Sequence, residues 1–185
     1  MPEKLATSKQ SASVIIATIE IFRSQKALAE GAIKQTSDEN LHKPLDENTN
    51  SIAVIMKHLA GNMISRWTDF LTSDGEKPNR DRDDEFIDDF PDRDACVAYW
   101  DRGWAKAFEE LGKLSDADLF KTITIRGEPY HVIDAIMRQV GHMSYHVGQI
   151  VQIARILAEN NWNVLTVPRG KTKEFNEQMA RKFKA

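Results

Sequence analysis

The chain has 185 residues, with 25 basic and 28 acidic side chains and a formal net charge of −3. This slightly acidic balance argues against a duplex-DNA-binding protein, which would carry a basic surface. The single cysteine, Cys96, excludes an internal disulfide framework and a cysteine-rich zinc module. No apolar run approaches the roughly 18 residues of a membrane span, and the first ten residues lack the apolar core of a signal peptide. We therefore expect one domain over residues 1–185 in the cytoplasm, with neither a nucleic-acid nor a membrane partner.

Four segments carry apolar residues at helical spacing, which predicts an all-α protein. They cover residues 11–34, 51–73, 92–111 and 131–160, and a final helix is expected near residues 174–183. Asn50 or Ser51 is placed to cap the second helix, and Asp92 or Asp94 to cap the third. The connector at residues 36–50 has room for one helical turn. Long connections between four main helices are typical of a four-helix bundle with crossovers.

Two stretches interrupt the helical pattern. Residues 74–94 contain ten acidic and four basic side chains, which predicts a solvated loop anchored by its three apolar residues. Residues 121–126 are alternating and rich in β-branched side chains, and a Gly-Glu-Pro turn follows them. This second stretch predicts a short strand or β-hairpin inserted before the fourth helix.

The histidines are the candidate metal ligands of this chain. They are His42, His58, His131, His142 and His146. The i, i+4 spacing of His142 and His146 places two imidazoles about one turn apart on one helix face, within reach of one ion. His58 borders the apolar face of the second helix, so a bundle can bring its ring to that pair. Three imidazoles without a cysteine suit zinc or nickel and leave positions for water or substrate.

Each histidine also has a plain structural interpretation. A histidine that borders an apolar face is commonly a core residue bonded to a backbone carbonyl, and for His58 alone this interpretation is favoured. For His142 and His146 the two interpretations stand equal. We expect His131, at a helix start, to be a cap or surface residue, and we do not expect His42, in a connector, to be a ligand.

Three other side chains are candidates for catalysis beside such an ion. Asn62 follows the histidine of the second helix by one turn, and Gln149 follows the last histidine by one turn. Each could orient a metal-bound water or a ligand ring through a hydrogen bond. Tyr145 is a candidate proton donor. By contrast, we expect Arg66 to be solvated or paired and Cys96 to be buried and inert.

Three parts of the sequence carry a resemblance to a known group of proteins. They are Lys57-His58-Leu59, His142-Met-Ser-Tyr-His146-Val-Gly-Gln149-Ile and the run from residue 62 to residue 85. The chain resembles the DinB superfamily (DinB/YfiT-like proteins), and within it a mainly Bacillus-type branch, over nearly its whole length. The resemblance implies an up-down-down-up four-helix bundle that forms a homodimer. It also implies that His58, His142 and His146 hold a nickel or zinc ion.

The resemblance leaves the function open between two classes. Characterised relatives include low-molecular-weight thiol S-transferases and a glutathione- or mycothiol-dependent maleylpyruvate isomerase, and YfiT-like members are described as metal-dependent hydrolases. An enzyme of the transferase kind would act on a small molecule and use a thiol such as bacillithiol. The other class is a non-catalytic metal-binding or stress-response dimer, whose ion would be closed off. An accessible cleft beside the ion is the observation that separates the two classes.

Overall fold

The computed structural model describes residues 13–183, so the predicted start of the first helix at residues 11 and 12 lies outside the described residues. The described chain is mostly helical, with a small two-stranded antiparallel sheet. Its elements are α1 (Val14–Ile33), α2 (Asp38–His42), α3 (Ile52–Trp67), α4 (Arg93–Leu111), β1 (Thr122–Ile125), β2 (Glu128–His131), α5 (Val132–Leu157) and α6 (Thr172–Phe183). The predicted helices and the hairpin therefore occur in the predicted order. Between residues 13 and 183, none of the helices has the length and apolar character needed to span a bilayer.

Polar caps fix where α3 and α4 begin. The Ser51 hydroxyl accepts the N–H of Val54 at 3.2 Å, and the Asp92 carboxylate accepts the N–H of Ala95 at 2.8 Å. Each bond satisfies one of the amides that the first turn of a helix leaves unpaired. Of the alternatives that the sequence leaves open, Ser51 and Asp92 are therefore the N-caps.

The end of α3 corrects the sequence prediction. Apolar Phe70 suggested that the helix continues to residue 73, but α3 ends at Trp67. Thr68 leaves the helical conformation with φ −75° and ψ 125°, and Asp69 has a positive φ of 49°. Phe70 stays buried because its ring packs on that of Trp67, with centroids 4.6 Å apart. Phe70 is apolar because it is buried in a turn, and from the sequence alone this could not be distinguished from a buried position in a helix.

Helix α3 lies at the centre of the described structure. It packs along α4 and also contacts α5, while α1 packs along α5. Every residue of α3 except Ile64 is buried, so this helix has no solvent-facing stripe. The ring of Phe22 on α1 meets Trp67 and Trp104 edge-on, at centroid distances of 6.0 and 6.1 Å. The predicted core residues Trp67, Trp100, Trp104 and Cys96 are all buried.

The hairpin before α5 is held to the segment that follows α3. Strands β1 and β2 pair antiparallel, with Ile125 opposite Glu128. The two-residue turn has φ values of 58° at Arg126 and 76° at Gly127, the left-handed conformation that suits a tight hairpin. The Asp74 carboxylate accepts both turn amides at 2.8 Å each. These bonds fix the turn, and Arg126 with it, against the segment after α3.

Candidate metal centre

Two helices bring three of the five histidines together. His58 lies on α3, and His142 and His146 lie one turn apart on α5. One ring nitrogen from each residue lies within 4.8 Å of the other two. The Nε2 atoms of His58 and His142 are 3.1 Å apart, and the three ring centroids are separated by 4.7 to 5.2 Å. We call these three residues the histidine triad.

Acceptors on neighbouring residues fix the rings of His58 and His146. The Glu85 carboxylate accepts the Nδ1–H of His58, with Oε2 2.9 Å from Nδ1. The side-chain oxygen of Gln149 accepts from Nδ1 of His146 at 2.7 Å. A neutral imidazole whose Nδ1 carries the proton keeps a lone pair on Nε2. Both rings therefore have Nε2 available as an electron-pair donor, which is the usual arrangement of a metal-ligating histidine.

His142 differs from the other two rings because its Nδ1 has no partner. That nitrogen is buried and makes no hydrogen bond to any residue in the described chain. Burial lowers the pKa of His142 to about 3, and the electrostatic interactions with His146, His58 and Arg66 act in the same direction. Burial also lowers the pKa of His146. Both rings are therefore neutral at neutral pH, the protonation state that metal coordination requires.

The donor set of the triad fits a borderline divalent cation. Two nitrogens bound to one tetrahedral zinc ion lie about 3.3 Å apart, given zinc–nitrogen bonds of about 2.05 Å. The 3.1 Å between the Nε2 atoms of His58 and His142 is close to that separation. At this separation the two Nε2 atoms share either a hydrogen, which makes an N–H···N bond, or a cation that both of them bind. Neutral imidazoles are ligands that both zinc and nickel accept.

The acidic stretch at residues 74–94 is mostly exposed, as predicted, but it supplies one buried side chain to this site. Its predicted apolar anchors Phe86 and Ile87 are themselves exposed, so the prediction that they pin the loop is wrong for these two residues. Glu85 is only 4% exposed, whereas most other acidic residues of the stretch are exposed. The Arg80 guanidinium donates to its carboxylate, with Nε 2.7 Å from Oε1 and Nη2 2.8 Å from Oε2. Although burial acts to raise it, hydrogen bonds from His58 and Arg80 lower the pKa of the Glu85 carboxyl. The charge is buried because its partners are buried with it.

The short turn that carries Glu85 also covers His58. Residues Asp84–Phe86 form one 3-10 turn against α3, and the Phe86 ring stacks on that of His58 with centroids 4.8 Å apart. Lys57 fastens the same stretch to α3, since its Nζ donates to Asp89 at 2.7 Å. Sequence reasoning missed Glu85, because its partner on α3 is 27 residues away. The one available signal was the presence of apolar residues within the acidic run.

The three predicted catalytic side chains lie at different places around the triad. Gln149 bonds His146, and its amide nitrogen donates to the Tyr145 hydroxyl at 3.3 Å. Tyr145 is 63% exposed, and its ring centroid lies 4.8 Å from that of His146. Asn62 is buried, and its Oδ1 has no hydrogen-bond partner among residues 13–183. Gln149 therefore orients a triad ring as expected, whereas the ring of His58 is oriented by Glu85 and not by Asn62.

The two remaining histidines lie outside the triad. His131 is the N-cap residue of α5, and its ring Nδ1 donates to the Phe120 carbonyl at 3.1 Å. The Nδ1 of His42 lies 2.9 Å from a carboxylate oxygen of Asp88. His131 is therefore a cap residue, as the sequence suggested.

One cavity borders the triad, and a second lies beside Gln149. The first has a volume of about 140 Å³ and is lined by His58 and His142 together with five arginines. These are Arg66, Arg80, Arg82, Arg126 and Arg138, and we call the space the arginine cavity. The second, of about 560 Å³, has Tyr145 and Gln149 in its lining. The prediction that Arg66 is solvated or paired is wrong, since it is 5% exposed and its Nη1 has no partner in the described part of the chain.

Comparison with known proteins gives the family of this chain. A family model described as "Protein of unknown function (DUF1572)" matches residues 9–171. The chain belongs to this family. The matched region of this DUF1572 chain contains the whole histidine triad and Glu85. No curated protein matches the chain.

Proposed function

We propose that this DUF1572 protein is a DinB-type metal-dependent enzyme that acts on small molecules. His58, His142 and His146 hold one divalent ion, nickel or zinc, inside an up-down-down-up four-helix bundle that forms a single domain. The reaction is an S-transfer that uses a low-molecular-weight thiol such as bacillithiol. The homodimeric state belongs to the same proposal and is supported by the resemblance to the DinB superfamily alone. The cytoplasmic location is also part of the proposal, and it is the expectation drawn from the sequence.

The observation that carries the proposal is what the triad rings bond to. A histidine that only fills a core position commonly bonds a backbone carbonyl. None of the triad rings does so within residues 13–183. His58 bonds Glu85, His146 bonds Gln149, and the Nδ1 of His142 is unpaired. Three rings with nitrogens within 4.8 Å of one another are better explained as a ligand set than as core histidines.

The accessibility of the triad supports an enzyme over a closed metal site. A non-catalytic ion would be sealed by protein on all sides. His142 is partly exposed, and it shares the arginine cavity with His58. The larger cavity is lined by Gln149, the residue that bonds His146. A small molecule therefore has space next to the triad.

Side chains of this protein would prepare the site in three ways. Glu85 and Gln149 hold the rings of His58 and His146 in the orientation that frees their Nε2 atoms. Phe86 covers one face of the His58 ring and excludes water from it. The exposed Tyr145 hydroxyl, bonded by Gln149, can hold a proton beside the larger cavity. The chemistry that a bound divalent ion supplies here is Lewis acidity, which lowers the pKa of a thiol or a water molecule.

Metal analysis tests the first half of the proposal. Protein purified without a histidine tag should contain about one nickel or zinc ion per chain by elemental analysis. His142→Ala and His146→Ala should lose the ion, while His131→Ala, the matched control outside the triad, should retain it. Loss of metal in His131→Ala together with retention in His142→Ala would show that the ligand assignment is wrong.

Activity assays test the second half. The nickel- and zinc-reconstituted proteins are given bacillithiol and an electrophilic acceptor, and in parallel an ester substrate without thiol. Thiol-dependent conjugation that His142→Ala abolishes supports S-transfer. Turnover of the ester alone would assign a hydrolase instead. A stoichiometric ion with neither activity would favour the non-catalytic metal-binding dimer.

A further inference from the structure

The arginine cavity carries an excess of positive charge. Its lining contains five arginines and no acidic residue. Arg80 is paired with Glu85 and Glu76, and Arg126 lies 3.4 Å from the same Glu76 carboxylate. The other three arginines are Arg66, Arg82 and Arg138. They form no ion pair with any residue in the described part of the chain. Of these three, Arg66 is buried, whereas Arg82 and Arg138 are exposed to solvent.

Unsatisfied polar atoms are concentrated at this same cavity. Seven buried side-chain nitrogen or oxygen atoms of the described residues lack a hydrogen-bond partner, and three of them are tryptophan indole nitrogens. The other four are Asn62 Oδ1, Arg66 Nη1, Gln139 Nε2 and His142 Nδ1. All four residues line the arginine cavity. Since a buried polar group without a partner destabilises the fold, these four atoms are open to hydrogen bonds from a ligand or from water in the cavity.

Arg66 is the strongest of these donors. Its side chain comes from the last turn of α3 and is 5% exposed, so bulk water does not solvate its charge. Burial and the neighbouring charges of Arg138 and Arg80 lower the pKa of its guanidinium to about 10. The group therefore remains protonated at neutral pH, next to other cations. A negative charge in the cavity would remove this repulsion and bond the free Nη1.

We propose that the arginine cavity binds a small oxyanion group of the substrate, a phosphate or a carboxylate, through Arg66, Arg138 and the Gln139 amide. Planar guanidinium groups match both anions, because each presents two oxygens to parallel N–H donors. The size agrees with this choice, since about 140 Å³ equals the liquid volume of about five water molecules. This inference deepens the proposed function. It rests on that function in one respect, because it treats the anion as part of a substrate.

The position of the cavity gives the anion a role in orientation. His58 and His142 line the same space as the arginines. An oxyanion held by Arg66 therefore anchors one end of a small molecule while its reacting end lies at the triad. Such anchoring converts the encounter of substrate and site into a fixed geometry. The substrate class is accordingly a small, negatively charged molecule rather than a neutral one.

Calorimetric titration of the full chain with inorganic phosphate tests the inference, and malonate serves as the carboxylate probe. Both are titrated into the metal-free protein and into the zinc-loaded protein. We expect saturable binding of at least one of the two anions to the metal-free form, because the arginines and not the ion hold it. The stronger of the two probes identifies the group as phosphate or carboxylate.

Variants connect the binding to the cavity. Arg138→Gln changes an exposed side chain of α5 and should weaken anion binding by about tenfold or more, without loss of zinc. Arg66→Gln should do the same where it folds. Arg155→Gln removes an exposed arginine of the same helix outside the cavity, and should change the affinity less than about twofold.

The outcomes separate this inference from the proposed function. Absence of binding of both anions overturns the inference. Binding that occurs only with zinc and is unchanged in Arg138→Gln and Arg66→Gln also overturns it, because the anion would then sit on the ion. Anion binding to a protein that takes up no zinc or nickel would refute the metal site and leave the anion site in place.

Discussion

Gly61 lies directly against the carboxylate of Glu85. A Cβ atom at residue 61 would stand 2.5 Å from Oε1 and 2.9 Å from Cδ of Glu85, closer than such atoms approach in proteins. Gly61 follows His58 by three residues, so the two share one face of α3. The missing side chain at residue 61 is what allows the carboxylate to come within 2.9 Å of the His58 Nδ1.

Gly61→Ala should therefore weaken metal binding without touching a ligand. The new methyl group displaces the Glu85 carboxylate, and His58 loses the acceptor that fixes its ring. Loss of such an orienting partner typically costs about 10–100-fold in metal affinity. Competition with a chromophoric zinc chelator measures the change.

The matched control is Gly141→Ala on α5. A Cβ at residue 141 meets no heavy atom within 4 Å, so this variant should bind zinc as the unchanged protein does. Equal zinc affinity in Gly61→Ala and Gly141→Ala would mean that Glu85 does not orient His58.

Glu85→Gln tests the charge of the same group. The amide oxygen can still accept from His58, but the side chain no longer neutralises Arg80 or strengthens the basicity of the imidazole. We expect zinc affinity to fall by about tenfold or more. Asp83→Asn removes the same charge from an exposed residue of the same segment and should leave the affinity unchanged. A fall of equal size in both variants would assign the effect to general electrostatics.

The sequence predicted the parts of this structure that depend on local pattern. Apolar residues at helical spacing located the long helices, and the β-branched run located the hairpin. The meeting of His58 with His142 and His146 was also accessible, because their spacing and their helix faces restrict where the rings can lie. These features depend on neighbours within one helix or on the faces of two helices.

The sequence could not reveal features that depend on distant partners. Glu85 looked like one more residue of a solvated acidic run, since its burial requires Arg80 and His58 to be buried with it. Arg66 was expected to be solvated or paired, because nothing nearby in the sequence shows that α3 is enclosed on nearly all sides. Phe70 looked helical for the related reason that a buried turn residue and a buried helix residue are both apolar.

The histidine pKa values predict a pH dependence of stability for the metal-free protein. The pKa of His142 is about 3 in the folded chain against 6.5 for an unperturbed histidine, and that of His146 is also lowered. Below pH 6.5 the unfolded chain therefore takes up protons that the folded chain does not. Stability is full above that pH and falls as the pH drops towards 3. The midpoint of urea unfolding, measured with a chelator present at about pH 7.5 and about pH 5, should show this fall.

A histidine replacement identifies the source of that pH effect. His142→Gln removes one of the groups that resist protonation, so the difference between its two unfolding midpoints should be smaller. His131→Gln alters an exposed cap residue and should keep the full difference. If the midpoints of His142→Gln move with pH as much as those of the unchanged protein, His142 is not the group responsible.

Gly103→Ala should destabilise the packing that holds His58 in place. A Cβ at residue 103 of α4 would lie 2.6 Å from the Cα and 3.0 Å from the carbonyl oxygen of Ala60 on α3. Because these are backbone atoms, a side-chain rotation cannot relieve the clash, and the two helices must separate. Overpacking of this kind costs about 1–3 kcal/mol of unfolding free energy, which urea titration measures.

Gly148→Ala provides the comparison for that measurement. Residue 148 also lies inside a helix, but a Cβ there meets no heavy atom within 4 Å. The substitution should raise the unfolding free energy by about 0.5–1 kcal/mol, because alanine loses less backbone entropy in a helix than glycine. The same chemical change, Gly to Ala, is thus expected to lower the unfolding free energy at residue 103 and to raise it at residue 148. Stabilisation by both would mean that α3 and α4 do not approach as closely as Gly103 and Ala60 require.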